Sequence, residues 1–556
     1  MRSPANKIVV RPGIKIGFAD AAEDKEFLDN CFIGNAAIDR ATNTDDPGCI
    51  ILGRTGAGKS AALYKVKSSE ENCITLTPSE LSLQFVSNST IIRFFHDLGV
   101  DLDLFFQLLW RHVLVIELLN YRYNVQNESD FKVVITKLTT FAGLNQSRKL
   151  ALEYLTQWGT QFWQETEVRI KEIVEKFESE LKAGVGFSEK PLSGGISLAD
   201  TLSSEQKSEV VHHARNVVNR VQIKKLSDLM DVMAEEIFTD KQQKYFILID
   251  QLDEDWVDDD LRYRLIRALI ETLKAFRKIR NVKILVALRY DLLERTLKET
   301  RTPGFQREKF EDFIIPISWN KDQLIDLIDE RIKYVYKRQY TSQSVGFFDL
   351  FPKRYRNRNN IEDHLIHRTQ FRPRDVIAFA NTIFEQSANA ERVSATNVDD
   401  AEKDYSQKRL QALLDEWRDE HPNLSTCLET LRGLTSRVSL RDLETASVDD
   451  CILKLNSHEA DDERIRTLAV NILAPNSDEQ TKDEFLYELV SILYKTGAVG
   501  VKTLHSPKVM YAYQHPYDLD KKTLSRDTYL SVSPMLWYAL QIAGKRKGDI
   551  VPPAAK

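Results

Sequence analysis

Chemistry in this 556-residue chain concentrates in the segment Gly53-Arg54-Thr55-Gly56-Ala57-Gly58-Lys59-Ser60. Its pattern, G-x-x-x-x-G-K-[ST], lies between an apolar run, Cys49 to Leu52, and a helix-prone stretch, Ala61 to Val66. Strand, glycine-rich loop and helix in that order turn the pattern into a phosphate-binding loop. The glycines let backbone N–H groups close around a phosphate, and the helix N-terminus adds donors and a favourable dipole. Lys59 is then placed to reach the β- and γ-phosphates, and the Ser60 hydroxyl to ligate Mg²⁺. The expected nucleotide-binding residues are Gly53, Arg54, Thr55, Gly56, Ala57, Gly58, Lys59, Ser60 and Ala61, with ATP and Mg²⁺ as the expected cofactors.

A second cluster ends another apolar run, Ile247-Leu248-Ile249-Asp250-Gln251-Leu252-Asp253-Glu254. Mg²⁺ keeps water ligands and takes few protein oxygens, so one carboxylate beside a phosphate loop can hold it. Asp250 is the expected metal residue, together with Ser60. Hydrolysis also needs a group that orients and activates water. Gln251 can orient water but cannot take a proton, which leaves Asp253 and Glu254 as candidate bases. Arg289 ends a third apolar run, Val286-Ala287-Leu288. It is placed either to reach the γ-phosphate or to form a salt bridge with the acidic strand end.

The elements that position these residues read as an α/β unit. Short β-branched strands are expected at Cys49 to Leu52, Ile74 to Thr77, Tyr245 to Ile249, Val282 to Leu288 and Phe313 to Ile317, separated by long helical stretches. That alternation predicts a mostly parallel sheet. Between the second and third strands, at about 80–240, lies a large helical insertion. Ile91 to Leu119, Lys149 to Leu181 and Glu205 to Phe238 all carry helical apolar spacing, with a glycine-rich loop or small hairpin at Gly184 to Ser197. Asn320 is a plausible N-cap for a helix at Lys321 to Lys337, and further helices are expected at Val376 to Gln386 and Ala401 to Trp417. From about His421, short helices precede strand-like pieces at Val499 to Val501, Met510 to Tyr513 and Tyr529 to Val532, which suggests a winged helix. The expected domains are an N-terminal segment, 1–45, packing on the ATPase core; the core, 46–320; a helical lid, 321–410; and a winged-helix-like domain, 411–556.

Composition narrows the class. With 42% hydrophobic and 29% charged residues, the chain has the make-up of a globular protein. No apolar run approaches the roughly eighteen residues of a membrane span, and the N-terminus lacks a signal-peptide core. Five scattered cysteines without a C-x-x-C pair indicate neither zinc nor a disulfide framework, and fit a reducing cytoplasm. A net charge of −6 gives no global reason to bind nucleic acid. A local basic segment, Lys353 to Arg358, could hold phosphates, but with few interleaved aromatics it has no base-reading signature.

Together these residues resemble the P-loop ATPases of the AAA+/STAND branch. Ile249-Asp250-Gln251-Leu252-Asp253-Glu254 is similar to the NACHT and KAP form of the second nucleotide motif. The fuller order adds Ala287-Leu288-Arg289-x-Asp291-Leu292, Ile317-Ser318-Trp319 and Arg372-Pro373-Arg374-Asp375. It resembles a family of large bacterial P-loop ATPases, sometimes labelled DNA-repair ATPases, whose members occur near mobile and antiphage loci. The resemblance spans about Gly17 to Gln386. It implies a core sheet in the order 5-1-4-3-2 and a lid whose arginine contacts the γ-phosphate. Arg374 falls at that lid position, with Arg372 as the competing choice. It also implies an arginine acting in trans, with Arg307 the leading candidate and Arg301 and the Arg354-Arg356-Arg358 cluster as others.

The chain departs from the usual pattern at Gln251, where a catalytic Glu is common, so slow, switch-like hydrolysis is expected. The leading expectation is an ATP-dependent molecular switch in bacterial antiphage defence, acting through a homo-oligomer or an effector protein encoded nearby. A DNA-dependent ATPase is the first alternative. A nucleotide-binding scaffold without turnover is the second.

Overall fold

The computed structural model describes residues 8–78, 102–125, 128–140, 149, 155, 222–254, 256–300, 308–339, 344–356, 359–457, 464–475, 478–503, 508–514 and 519–543. Contacts divide the chain into two compact units. One holds residues 34–54 and 59–317; the other holds 1–33, 55–58 and 318–556.

The first unit is built on a five-stranded sheet. Its strands are β1 (Ile50–Gly53), β2 (Cys73–Leu76), β3 (Tyr245–Ile249), β4 (Val282–Arg289) and β5 (Ile314–Pro316). They lie in the order β2-β3-β4-β1-β5, all neighbours parallel, which is the anticipated 5-1-4-3-2 order of a P-loop NTPase. Strands β1 and β3 are buried throughout, as parallel strands covered on both faces must be. Three helices matter for the site and its surroundings. They are α1 (Lys59–Ser69), directly after the loop, α2 (Asp103–Tyr123) and α3 (Asp259–Phe276). Helix α2 belongs to the anticipated insertion and packs on α3, where the buried Trp110 indole donates to the Leu265 carbonyl at 2.9 Å. The other described insertion elements, Glu128–Thr140 and Gln222–Val232 with its π-turn Met233–Ile237, are also helical. The expected helix Lys149 to Leu181 and the hairpin at Gly184 to Ser197 lie outside the described residues.

The N-terminal segment divides, which the expectation of a single piece on the ATPase core did not foresee. Residues 34–54 join the sheet unit through the helix Ala36–Thr42, capped by Asn35 Oδ1 on the Ala37 and Ile38 amides at 3.1 and 3.2 Å. The carboxyl end of that helix is held by Lys283, whose ammonium donates to the Arg40 and Asn43 carbonyls at 2.5 Å each. Burial pushes the Lys283 pKa down to about 8. Residues 8–33 instead join the second unit. There Asp24 forms a buried bidentate pair with Arg331, at 3.0 and 2.6 Å. Gly17 is obligatory beside that pair, because its φ is 138° and a Cβ would fall 1.8 Å from Arg331 Nη1.

The second unit continues with the lid helices α4 (Lys321–Gln339), α5 (Pro373–Gln386) and α6 (Ala395–Glu416). Asn320 does cap α4. Its Oδ1 accepts the Gln323 amide at 2.9 Å, while Gln323 Oε1 accepts the Asn320 amide at 3.1 Å. Helix α5 starts with Pro373 in the first turn, where the missing N–H costs nothing. Helix α6 runs to Glu416, beyond the anticipated lid boundary at 410. A two-stranded ribbon, β6 (Arg354–Tyr355) and β7 (Asn359–Asn360), precedes the lid helix Ile361–His367.

The C-terminal part runs helix Leu424–Glu429, β8 (Arg437–Ser439), helices Leu440–Leu443, Asp449–Ser457 and Arg464–Ile472, α7 (Glu479–Lys495), β9 (Val499–Lys502) and β10 (Tyr529–Val532). The sheet order is β8-β10-β9, fully antiparallel, so the last strand sits in the middle. One hydrophobic cluster runs through this unit from Val10 through the lid to Ile542. No described helix is long and apolar enough to cross a membrane.

Candidate nucleotide site

The glycine-rich loop begins where β1 ends. Gly53 lies in register with Arg289 of β4, so the sheet brings the two strand ends together. Gly56 and Gly58 have φ of 75° and 98°, left-handed values that turn successive amides toward one side. Lys59 opens α1 and is partly buried, with its ammonium donating to the Arg54 carbonyl at 3.3 Å. Burial lowers its pKa, while Asp253 and then Asp250 and Asp291 favour the charge and Arg289 opposes it. Ser60, next along α1, is exposed.

The acidic strand end lies beside Lys59. Asp250 Oδ1 accepts the amide of Gln251 at 2.9 Å, and Gln251 takes a left-handed φ of 63°. A non-glycine residue held there carries about 1–3 kcal/mol of strain, which surrounding structure must offset. The turn is pinned by the buried Trp256, whose indole donates to the Leu252 carbonyl at 3.1 Å. Glu254 has its pKa raised by partial burial and then by Asp253 and Asp250. Arg289 forms a bidentate pair with Asp291, Nε to Oδ1 at 3.1 Å and Nη2 to Oδ2 at 2.6 Å, and reaches Asp253 at 3.7 Å. The salt bridge to the acidic end, the alternative reading of Arg289, is thus present. Sequence placed Lys59, Asp250, Asp253, Glu254 and Arg289 in one site, and the structure brings all five together.

Among the described residues there is no cluster of three or more His, Cys, Asp or Glu side chains suited to a metal. Mg²⁺ does not require one. The hydroxyl of Ser60 and the carboxylate of Asp250 are hard oxygen donors, the type that ion takes.

The loop's other edge is held within the second unit. Three successive loop carbonyls accept hydrogen bonds from residues of this unit. Arg372 Nη1 donates to Thr55 at 2.7 Å, the Arg374 amide to Gly56 at 3.4 Å, and the Trp319 indole to Ala57 at 2.8 Å. Arg372 is buried and also donates to Asp375 at 2.8 Å, with Glu416 at 3.2 Å. Burial opposes its charge, but Asp375 and Glu416 outweigh that and hold its pKa above the ordinary arginine value. The side chain of Arg374 runs along Gly56, where an added Cβ would lie 2.9 Å from the Arg374 Cβ, and its Nε donates to Ala19 at 3.3 Å. Both lid arginines therefore reach the loop, one by its guanidinium and one by its backbone.

Other sequence candidates fare differently. Arg307 and Arg301 lie outside the described residues, as does Arg358. In the basic cluster, Arg356 pairs with Asp399 and Arg354 sits in the ribbon. Sequence reading gave no role to Trp319 or Asp375, although both stand in the quoted motifs; the Trp319 contact is long-range, and Asp375 acts through Arg372 and the Gln370 amide beside it, neither with a periodic signal.

Comparison with known proteins gives two findings. Residues 322–414, the lid, match the family model of the FunZ-associated C-terminal helical domain. Among solved structures, the chain is similar to the Walker-type ATPase paby2304 of Pyrococcus abyssi. The identity is 10% and the TM-score 0.35, over 96% of this chain and 99% of that one. No curated protein matches.

Proposed function

We propose that this chain binds ATP with Mg²⁺ and hydrolyses it slowly, as a molecular switch. The observation that carries this reading is the loop itself, with Gly56 and Gly58 in left-handed conformations and Lys59 drawn in beside the acidic end of β3. A peptide's C=O and N–H share one rigid plane. Holding the Thr55, Gly56 and Ala57 carbonyls on the lid side therefore fixes the Gly56, Ala57 and Gly58 amides on the other, ready for phosphate oxygens. Lys59 supplies a cation to the β- and γ-phosphates, and Ser60 and Asp250 would hold the metal. Bound Mg²⁺ neutralises charge on the phosphate oxygens.

In turnover, a water oxygen bonds to the γ-phosphorus, the bond to the β–γ bridging oxygen breaks, and ADP leaves with that electron pair. Asp253 or Glu254 accepts the water proton and passes it to solvent. Glu254 is the better supported base, since its raised pKa makes it the stronger proton acceptor, while Asp253 is engaged by Arg289. Gln251 orients the water. Its inability to take a proton, together with an Arg289 already paired to Asp291, supports a slow reaction. The motif resemblance supports a defence setting and a partner or second copy that controls turnover.

Duplex DNA as the trigger is disfavoured by α7, which occupies the place of a recognition helix. Its outer side carries Glu479, Asp483, Glu484 and Glu488, partly paired with Arg526, Lys521 and Arg464 of the same domain. Such a face repels a phosphate backbone.

The test is calorimetry of Mg-ATP with wild type and Lys59→Ala. Wild type should bind and the variant should not, at equal thermal stability. Retained affinity in a folded Lys59→Ala protein would overturn the assignment. Turnover should be unchanged by duplex DNA, and stimulation would restore the DNA-dependent alternative.

A further inference from the structure

Three consecutive lid residues face three different neighbours. Arg372 holds the Thr55 carbonyl of the loop. Phe371, with a left-handed φ of 53°, stacks on Tyr513 of the C-terminal part at 6.0 Å. Gln370 donates its Nε2 to the carbonyl of Thr496, the residue that caps α7, at 3.2 Å. Asp375 ties the ends of this segment together, one oxygen accepting both Arg372 Nε at 2.8 Å and the Gln370 amide at 3.1 Å. Beyond Thr496 lies Gly497, with φ of 77°, where a Cβ would sit 2.7 Å from Gln370 Nε2. Gln370, Arg372, Asp375 and Thr496 are each at most 2% exposed, so water does not interrupt the chain of bonds. In such low-dielectric surroundings hydrogen bonds are strong, and losing a partner is costly.

We infer that the chain Thr55–Arg372–Asp375–Gln370–Thr496 couples the phosphate loop to the carboxyl end of α7, so that a bound nucleoside triphosphate alters the local stability of residues 493–500. The inference rests on the phosphate-loop reading above. Phosphate binding loads the Gly56 amide, which lies in the same rigid peptide as the Thr55 carbonyl. Any rotation of that peptide is felt by Arg372. Asp375 and the Gln370 backbone then carry the shift, because neither has solvent to relax into. Gln370 is a positioning residue here, far from the reacting atoms. Its role is to let the winged-helix-like part sense whether the loop is filled, the readout a switch requires.

The experiment is hydrogen–deuterium exchange of the full chain with and without Mg-ATP, in wild type and Gln370→Leu, with ATP affinity measured on the same samples by calorimetry. The substitution removes the donor to Thr496 and also the Gln370 Oε1, a buried acceptor without a partner, so folding should be tolerated. Gln370→Met is the second variant if the leucine variant does not fold. Wild type should show exchange at 493–500 changed by about three-fold or more on ATP binding. The variant should keep ATP affinity within about three-fold and lose that nucleotide-dependent difference. ATP binding with no change at 493–500 in wild type, or an undiminished change in the variant, would overturn the coupling while leaving the phosphate loop intact. Absence of ATP binding in wild type would overturn both, and calorimetry alone would reveal it.

Discussion

The indole of Trp319 donates to the carbonyl of Ala57 at 2.8 Å, so a side chain just past β5 fixes the peptide that presents the Gly58 amide. Trp319→Phe keeps an aromatic ring, though a smaller one, and removes this bond. One hydrogen bond of this kind is worth about 1 kcal/mol, so Mg-ATP affinity should fall by roughly five-fold with little change in melting temperature. Calorimetry showing wild-type affinity would mean the loop amides are preorganised without the indole.

The raised pKa of Glu254 makes a signed prediction about pH. A general base must be ionised, so turnover should rise with pH through the Glu254 pKa. Asp253→Asn removes one of the two carboxylates that raise it. The acid limb of the kcat profile should therefore move to lower pH, whatever happens to the plateau. An unmoved limb, with Glu254→Gln still active, would exclude Glu254 as the base.

Much of this site was legible because it obeys local rules. A fixed spacing named Lys59 and Ser60, and an apolar run ending in a carboxylate named Asp250. All five strands of the parallel sheet were found to within a residue or two at each end, since buried strands are apolar throughout. What stayed hidden depends on distant contacts. Arg372 and Trp319 hold loop carbonyls more than two hundred and fifty residues earlier in the chain, and hydrogen bonds to backbone leave no compositional trace. The split of the N-terminal segment near residue 33 was equally silent, because residues 8–33 are held by distant partners such as Arg331 on Asp24 and Asn381 on the Ile16 amide.

A second pH effect concerns stability. His364 is buried against Glu402 Oε2 at 3.0 Å, with Arg368 on the other carboxylate oxygen at 2.8 Å. Burial, and then the Arg368 charge, lower the His364 pKa despite Glu402. The unfolded chain therefore binds a proton there that the folded state resists. Stability should fall as pH drops below the unfolded histidine value of about 6.5, by at most about 1.4 kcal/mol per pH unit from this group. His364→Gln should flatten denaturant midpoints between about pH 5 and 6.5. An unchanged slope would assign the acid sensitivity elsewhere.

Removing one member of that buried group should be far more costly. Glu402→Ala leaves Arg368 without its carboxylate partner, and losses of about 3–5 kcal/mol are usual for such sites. Urea denaturation measures this directly, and a loss under about 1 kcal/mol would show that the guanidinium finds another partner.

With Arg356 engaged by Asp399, Arg307 is the stronger candidate for an arginine donated in trans. Such residues accelerate phosphoryl transfer by about 10³–10⁵. Specific activity should then rise with protein concentration, Arg307→Ala should lower turnover but not ATP affinity, and mixing it with Lys59→Ala should restore activity. A concentration-independent rate from a monomer, without rescue, would exclude a homotypic site.

The lid and the C-terminal part share one hydrophobic cluster, which bears on how the matched family segment, 322–414, can be inherited. The segment stops two residues short of the end of α6. Its Arg368 lies over the Trp537 ring at 5.1 Å, and its Ser406 Oγ accepts the Ala539 amide at 3.1 Å. On the amino side, Arg331 depends on Asp24 for its only buried carboxylate partner among the described residues. Cut out and expressed alone, the segment would expose apolar surface on two sides and strand a buried guanidinium. The stretch that matches the family model therefore shares its core with residues before and after it in this chain, so its boundaries in sequence are not boundaries of packing.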